Sequence, residues 1–162
     1  MVTRYFPLLV LLLLVVTASF VSTSFEAGEW FHVTMDQPAM TPPYWLFGPV
    51  WALVYVFMAL AAWNVWLTGR DSRNGALVWW VLLLVLNIAW SALFFGLNRP
   101  GWAMPVLGLT LGVAVLCLRA FSLVSRQAAY LMLPYLCWVA YLLVLNLAIW
   151  TRNGGFLQGM LG

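Results

Sequence analysis

Five long runs with almost no charged side chains occupy most of this chain and limit what it can fold into. Each run has about the 20 helical residues needed to cross a hydrocarbon core of roughly 30 Å. The runs are apolar all round and do not alternate as barrel strands do. Since backbone groups in lipid must be paired within the protein, the runs are predicted to be helices. The sequence therefore predicts an all-α membrane protein, a five-transmembrane-helix bundle forming one domain over residues 1–162, with helices at about 5–25, 42–68, 74–97, 101–124 and 128–151.

Composition excludes the soluble classes of protein. Hydrophobic residues make up 65% of the 162 residues and charged residues only 7%, against about 25% charged in a typical soluble domain. The seven basic residues are all arginines, and they are scattered among apolar runs instead of clustered as in a nucleic-acid-binding protein. We therefore expect membrane lipid as a partner and no nucleic acid. Cys117 and Cys137 have no metal-type spacing, so no metal site is predicted and both are interpreted as buried thiols.

The first run has two interpretations. Arg4, the apolar segment 8–16 and the small residues 17–19 resemble a cleavable signal peptide. The apolar stretch continues to Val21 and beyond, however, and its total length is enough to span a membrane. We favour a retained helix.

The connections between the runs indicate the topology. The longest, 26–41, holds three of the four acidic residues and the single histidine, His32. Trp30 and Phe31 within it predict a loop that folds back as a cap over the bundle mouth. The other connections are short and make consecutive helices antiparallel. Under the positive-inside rule the N-terminus is predicted to be cytoplasmic, with Arg4, Arg70, Arg73, Arg126 and nearby Arg119 on that side and Arg99 and Arg152 on the other.

The segment 40–51, MTPPYWLFGPVW, combines two prolines with large aromatic side chains. Proline fixes φ and lacks a backbone donor, so Pro42 and Pro43 suit a first helical turn. Tyr and Trp rings have an apolar body and one polar atom, which suits a membrane interface or a wet pocket. A reinforced helix start that presents such rings indicates a place that receives a flat apolar ligand or a partner helix.

Polar and aromatic residues recur at spacings typical of one helical face in three of the runs. If these stripes converge, they enclose an aromatic slot with a few amide and indole donors. Alternatively, the asparagines in the runs, Asn64, Asn87 and Asn146, only form hydrogen bonds between helices, worth about 0.6–2 kcal/mol each. The three stripes together favour a ligand cavity: Trp51, Tyr55, Met58 and Ala62; Asn87, Ser91, Phe94 and Asn98; Tyr135, Trp138, Leu142 and Asn146.

Catalytic groups are missing from the five runs. They contain no carboxylate, no Ser-His-Asp set and no glycine-rich phosphate loop, whereas acid–base chemistry needs a positioned titratable group. Arg119 is the one charged side chain well inside a run, and it lies near an end where it can snorkel. We therefore predict no catalytic residue and no required cofactor.

Gly108 and Gly112 form a GxxxG pattern in the fourth run. This spacing lets two helix backbones approach closely. Internal packing and a homodimer contact explain the pattern equally well, and we predict a homodimer through these two glycines.

The motifs together resemble the TspO/translocator-protein family, also called tryptophan-rich sensory proteins or peripheral-type benzodiazepine receptors. The resemblance runs from about residue 30 to 152. It rests on P-x-x-T-P-P-x-W-x-F-G-P-V-W at 38–51, N-x-x-W-S-x-x-F-F-G at 87–96, and P-Y-x-x-W at 134–138 followed by Asn146. It implies a membrane protein of five helices, usually dimeric, that binds porphyrins such as protoporphyrin IX and haem, and synthetic benzodiazepine-type ligands. The implied pocket lies under the first loop, and the matching residues are Trp30, Phe31, Trp51, Asn87, Phe94 and Trp138, with Trp51 and Asn87 as polar contacts.

The resemblance implies a receptor or sensor that regulates tetrapyrrole or stress responses. Light-dependent porphyrin degradation, attributed in the family to pocket tryptophans, and tetrapyrrole transport are the alternatives, so enzymatic activity stays an open question. This chain departs from the family pattern at Met40, where an aromatic residue commonly precedes T-P-P. It also lacks the Tyr and basic residue that lie close together in sterol-binding members, since Tyr141 is eleven residues from Arg152. Sterol binding at that element is therefore not expected.

Overall fold

The apolar runs form helices, because only helical backbone pairs its own polar groups within lipid. The computed structural model describes residues 2–25, 30–69 and 71–154. Within these residues, five helices are long and apolar enough to span a membrane, and no strand occurs. The predicted all-α five-helix fold is confirmed. The helices are α1 (Val2–Thr23), α2 (Tyr44–Leu67), α3 (Arg73–Ser91), α4 (Pro100–Val124) and α5 (Arg126–Arg152), with π-helical segments at Trp30–Thr34 and Ala92–Gly96.

Prolines and a serine mark the points where helices begin. Pro43 lies just before α2 with φ −53° and ψ 138°, an extended, polyproline-like conformation. The two prolines therefore precede the helix and do not form its first turn. Pro100 is the first residue of α4, where a missing N–H has no effect. At the next turn, the hydroxyl of Ser125 accepts from the backbone N–H of Ala128 at 3.4 Å and caps α5.

The helices pack around the bundle in the order α1, α2, α5, α4 and α3, and α3 closes the ring against α1. Consecutive helices α2 and α3 therefore contact each other little. One of their direct links is the indole of Trp80, which donates to the backbone oxygen of Met58 at 3.0 Å. Both of these side chains are fully buried.

Asn64, Asn87 and Asn146 each form a hydrogen bond to another part of the bundle, as the simpler interpretation predicts, and for Asn87 the partner is the Tyr135 hydroxyl on α5. Asn146 Nδ2 donates to the oxygen of Pro100 at 2.8 Å, and Asn146 Oδ1 accepts from Trp90 Nε1 at 3.3 Å. These bonds join α3, α4 and α5. Asn64 Oδ1 accepts from Ser125 Oγ at 2.6 Å, and Asn64 Nδ2 donates to Gln127 Oε1 at 3.3 Å. They attach α2 to the α4–α5 connection.

The end of α3 changes from α-helix to π-helix. Leu97 N donates to Ala92 O at 2.8 Å, five residues back, and Asn98 then adopts a positive φ of 55°. Asn87, Ser91 and Phe94 are buried, but Asn98 is exposed. The prediction that Asn98 continues the stripe is wrong, because the wider π turn shifts the register and a left-handed residue ends the helix.

The described part of the first loop is attached to the C-terminal end of α5. Asp36 N donates to Asn153 Oδ1 at 2.8 Å, and Asn153 Nδ2 donates back to Asp36 O at 3.0 Å. The Tyr141 hydroxyl donates to Met40 O at 2.8 Å. Phe31 belongs to this loop, and its side chain is buried against the bundle. The remainder of the predicted cap, 26–29, lies outside the described residues.

The outer surface of the bundle carries two features of the sequence. Gly108 and Gly112 are exposed on α4, and a Cβ added to either would meet no atom within 4 Å. Packing among the described residues therefore does not explain the GxxxG pattern.

Cys117 is buried as predicted, but Cys137 is exposed. The prediction for Cys137 is wrong, because its position on α5 faces outward, where lipid surrounds an apolar thiol as well as a protein core does.

Candidate functional site

A cavity of about 320 Å³ lies between α1, α2 and the end of α3. This volume is at the lower end of the roughly 300–1,000 Å³ found for small-molecule sites. Among the described residues, the lining consists of aromatic, small and hydroxyl side chains, and none of them is charged. They are Ser19, Ser22, Thr23, Phe25, Phe31, Tyr44, Trp45, Phe47, Gly48, Trp51, Ala52, Tyr55, Trp90, Ser91 and Phe95.

One face of α2 forms the aromatic wall of the cavity. Tyr44, Phe47, Trp51 and Tyr55 follow each other at spacings of three and four residues, which align them along the helix. The rings of Trp51 and Tyr55 stack with their centroids 5.2 Å apart. Gly48 lies on the same face and leaves the wall open there, since a Cβ at this position would meet no atom within 4 Å.

Two of the six predicted ligand-binding residues line this cavity. Phe31 reaches it from the first loop and Trp51 from α2. Phe31 is buried, whereas Trp51 is half-buried. Trp51 therefore has accessible ring surface within the cavity, which suits it to contact a ligand.

Trp138 lies behind Trp51 and does not line the cavity. Its ring meets that of Trp51 edge to face at 6.1 Å and that of Phe47 at 6.0 Å. The indole N–H of Trp138 is buried and has no hydrogen-bond partner among the described residues. The residue supports the aromatic wall and offers an unused donor close to it.

Phe94 and Trp30 lie beyond a partition of four aromatic rings. Phe94 is buried and borders a second void of only about 10 Å³, which Asn146 also borders. Trp30 packs edge to face on Phe94 at 6.0 Å. The partition borders both voids and consists of Phe31, Phe47, Trp90 and Phe95.

Asn87 is 3% exposed and lies next to the cavity instead of lining it. Its Oδ1 accepts from the Tyr135 hydroxyl at 3.1 Å. Its Nδ2 is buried and makes no hydrogen bond of good geometry with the described residues. Tyr55, a lining residue, lies beside the Asn87 side chain. Asn87 is therefore an oriented amide with one unused donor group near the cavity.

Sequence reasoning missed the hydroxyl-bearing face of α1. Ser19, Ser22 and Thr23 line the cavity, and their spacing of three and four residues places them on one side of the helix. The signal was present, because these hydroxyls interrupt a helix built mainly from leucine, valine and phenylalanine. The sequence motifs that carry the resemblance begin after α1, so they did not point to this helix.

The site is equipped to hold a ligand through ring contacts and uncharged donors. Among the described residues, no cluster of three or more histidine, cysteine, aspartate or glutamate side chains is placed to bind a metal ion. The part of the lining that the structure describes contains no carboxylate, imidazole or basic group. The arrangement favours stacking and hydrogen bonding over acid–base chemistry.

Comparison with known proteins identifies the same family as the sequence motifs. A family model described as the TspO/MBR family matches residues 6–151. The tryptophan-rich protein TspO of Chlorobaculum tepidum is 36% identical over 130 residues, covering 79% of this chain and 82% of that protein. The human translocator protein is 36% identical over 145 residues, covering 86% of each chain. Protein CrtK of Rhodobacter capsulatus is 32% identical over 136 residues, covering 81% of this chain and 82% of that protein.

Proposed function

The chain belongs to the TspO/MBR family, and on this basis we propose that it is a receptor or sensor whose cavity binds porphyrins. Its five apolar helices make it an integral, multi-pass membrane protein. The proposed ligands are protoporphyrin IX, haem and related flat apolar molecules. Binding regulates tetrapyrrole or stress responses in this proposal, and the protein needs no cofactor of its own.

The observation that carries the proposal is the aromatic, uncharged lining of the cavity. A flat ring system stacks on Trp51 and contacts Phe31. Stacking on an aromatic side chain contributes about 1–3 kcal/mol per ring in other recognition systems. The unused donors of Trp138 and Asn87 lie close to the same wall and supply polar contacts to the edge of the ligand.

A macrocycle with its substituents needs more room than the 320 Å³ of this cavity. The partition rings separate the cavity from the small void beside Phe94. In this proposal Phe95, which is half-buried in the partition, moves aside on binding, so that the ligand reaches Phe94 and the Trp30 ring packed on it. The proposed binding residues are accordingly the six predicted ones: Trp30, Phe31, Trp51, Asn87, Phe94 and Trp138.

A titration with protoporphyrin IX tests the proposal. The protein is reconstituted in lipid nanodiscs, and binding is followed by quenching of tryptophan fluorescence and by the porphyrin absorption band. We expect saturable binding that is weakened in Trp51→Ala. Trp102→Ala is the matched control, because Trp102 is 55% exposed and does not line the cavity. Absence of saturable binding by the wild-type protein would overturn the proposal.

Light-dependent porphyrin degradation is a second candidate, favoured by the closeness of the indoles. The ring centroids of Trp51 and Trp138 are 6.1 Å apart. Trp90 lines the cavity together with Trp51. Loss of porphyrin only in the presence of light, oxygen and the wild-type tryptophans would indicate chemistry. Stable pigment under the same illumination would leave binding alone. The third alternative is a transporter. Accumulation of porphyrin inside sealed vesicles that contain the protein, and not inside protein-free vesicles, would indicate transport.

The proposal includes a homodimer and an orientation. The open outer face at Gly108 and Gly112 offers α4 for close contact with a second copy. The arginine distribution supports an N-terminus in the cytoplasm and a first loop on the opposite side. In this orientation the cavity lies at the non-cytoplasmic end of the bundle.

A further inference from the structure

A continuous series of aromatic ring contacts runs from the cavity to the first loop. Tyr55 and Trp51 stack in the cavity wall with their centroids 5.2 Å apart. The ring of Trp51 meets that of Trp138 edge to face at 6.1 Å, and Trp138 stacks on Tyr141 at 5.3 Å. The Tyr141 hydroxyl then donates to the backbone oxygen of Met40 in the first loop at 2.8 Å. Trp51, Trp138 and Tyr141, the aromatic series, therefore connect the cavity to the loop.

The contacts are close enough for an electron to pass from ring to ring. All the centroid separations in the series lie within the roughly 4.5–7 Å typical of aromatic rings in direct contact. Tryptophan and tyrosine lose one electron far more readily than phenylalanine does. Phe47 also contacts Trp138, at 6.0 Å, but its ring is not oxidised under the same conditions. From Trp51 the oxidisable route along these contacts therefore runs through Trp138 to Tyr141.

Access to water separates the tyrosines at the two ends of these contacts. A tyrosine that loses an electron also releases its hydroxyl proton, so it needs an acceptor for that proton. Tyr141 is half-buried, and its hydroxyl reaches Met40, which is 43% exposed. Water at the loop surface can take the proton there. Tyr55 is only 5% exposed, so proton release is favoured at the Tyr141 end.

Trp138 is placed to pass on a missing electron instead of storing it. Its indole N–H is buried and makes no hydrogen bond of good geometry with the described residues. A tryptophan that has lost an electron is a radical cation, and the N–H is the group from which it would release a proton. Without an acceptor for this proton the side chain stays a cation, which is unfavourable in an apolar surrounding. Trp138 in this state is therefore a strong oxidant of the neighbouring Tyr141 ring.

We propose that Trp51, Trp138 and Tyr141 carry oxidising equivalents out of the cavity to the first loop. A flat aromatic ligand that is excited by light passes one electron to molecular oxygen, which becomes superoxide, and is left as a radical cation. Trp51 returns an electron to the ligand, Trp138 to Trp51, and Tyr141 to Trp138. Tyr141 gives its hydroxyl proton to water and becomes a neutral radical. A hydrogen-atom donor in the aqueous phase, such as a thiol, restores it and is itself oxidised by one electron.

This role goes beyond binding of the ligand, and it is the opposite of ligand degradation. In degradation the ligand is consumed, whereas the aromatic series restores the ligand and both of its own tryptophans. The route needs an oxidant held in the cavity, but the oxidant need not be a porphyrin. The series can therefore be tested with a synthetic photo-oxidant.

A photo-oxidant tethered in the cavity makes the test independent of porphyrin binding. After Cys117 and Cys137 are replaced by alanine, Gly48→Cys is coupled to a maleimide of anthraquinone, a flat aromatic molecule. Gly48 lines the cavity, and an added Cβ meets no atom of the described residues within 4 Å. The light-excited quinone takes an electron from Trp51, and oxygen then re-oxidises the semiquinone. Transient absorption and electron paramagnetic resonance in nanodiscs are expected to show a tryptophan radical that decays as a tyrosyl radical appears.

Substitutions along and beside the series identify the route. Tyr141→Phe keeps the ring but removes the oxidisable phenol, so the tyrosyl radical should be lost and the tryptophan radical should persist. Trp138→Phe interrupts the series and should also abolish the tyrosyl radical. Tyr130→Phe is the matched control on the same helix, because Tyr130 is 69% exposed and lies outside the series. Tyr55→Phe tests the other end of the contacts, and both of these variants should keep the tyrosyl radical.

Protection of the tryptophans gives a second readout. After many flashes, peptide mass spectrometry is expected to find more oxygen added to Trp51 in Tyr141→Phe than in the labelled parent protein. Thermal unfolding of each variant checks that the fold is retained.

A tyrosyl radical of equal yield in the parent protein, in Tyr141→Phe and in Trp138→Phe would overturn the inference. Loss of the radical in Tyr55→Phe and not in Tyr141→Phe would also overturn it, because the missing electron would then stay at the cavity wall. Absence of a tyrosyl radical in the labelled parent protein would overturn it as well. The porphyrin titration is a separate experiment, so a failure of the proposed function is recognised independently of these results.

Discussion

Trp51 and Trp80 show how burial separates a ligand contact from a structural side chain. Trp51 is half-buried on the cavity wall, whereas Trp80 is fully buried and bonded to the backbone of Met58. We expect Trp51→Ala to weaken protoporphyrin binding by about 1–3 kcal/mol. Trp80→Ala is expected to lower the free energy of unfolding by about 3–5 kcal/mol instead. Porphyrin titration and thermal unfolding in nanodiscs measure the two effects. Equal losses of affinity in both variants, each still folded, would contradict the position of the binding site.

Asn146 is expected to act on stability. Replacing Asn146 with alanine leaves the Trp90 indole N–H and the Pro100 oxygen without their partner inside the bundle. The expected loss is about 1–3 kcal/mol of unfolding free energy. Asn64→Ala is the matched control and should cost less, because Asn64 is only partly buried and water can replace its partners. Chemical unfolding followed by circular dichroism ranks the two, and a smaller effect at Asn146 would refute its structural role.

The sequence identifies residue types at the site better than it identifies their contacts. Phe31 and Trp51 line the cavity as predicted. Trp51 belongs to the aromatic segment that contains the double proline, and the family resemblance indicated both residues. Spacing could not show that the Asn146 side-chain amide is hydrogen-bonded to Trp90 and Pro100. Nor could it show that the amide nitrogen of Asn87 makes no hydrogen bond of good geometry with the described residues. Hydrogen-bond partners depend on which helices become neighbours. The hydroxyl residues of α1 that line the cavity were missed for another reason, because the motifs that carry the resemblance begin after that helix.

At the scale of single elements, the first loop is expected to depend on Asn153. This side chain accepts from Asp36 N and donates to Asp36 O and to Ile149 O. Asn153→Ala should therefore increase hydrogen exchange in the loop residues 30–41. Arg152→Gln is the control, because the Arg152–Asp36 pair is exposed and 3.8 Å apart, and such surface pairs contribute only about 0–1 kcal/mol. Equal exchange in wild type and Asn153→Ala would show that other contacts hold the loop.

The helices themselves follow from length and apolar composition, but two properties of them do not. The π-helical segment Ala92–Gly96 shifts the register at the end of α3 and exposes Asn98. A regular 3.6-residue pattern cannot reveal such a change, because one inserted residue alters the face without altering the composition. The packing order α1, α2, α5, α4 and α3 is also unpredictable from helices that are apolar on all sides.

For the whole molecule, the orientation in the membrane is testable by cysteine labelling. Val33 in the first loop is 79% exposed, and Asp71 in the α2–α3 connection is also exposed. After Cys117 and Cys137 are replaced by alanine, Val33→Cys should react with an impermeant maleimide in intact cells. Asp71→Cys should react only after the membrane is opened, because the positive-inside rule predicts that this connection is cytoplasmic. The opposite pattern would reverse the proposed topology.

Assembly is the remaining property of the whole molecule, and we expect a homodimer whose contact includes Gly108 and Gly112. Helix association in lipid depends on close backbone packing, which two glycines four residues apart permit. Both glycines are exposed, and neither has an atom of the described residues within 4 Å of an added Cβ, so we expect isoleucine at both positions to leave the fold of one subunit intact, as thermal unfolding would check. The double variant should become monomeric in light scattering while it retains porphyrin binding. Gly75→Ile is the matched control, because Gly75 is equally open but lies on α3. A double variant that stays dimeric would place the contact on another face of the bundle.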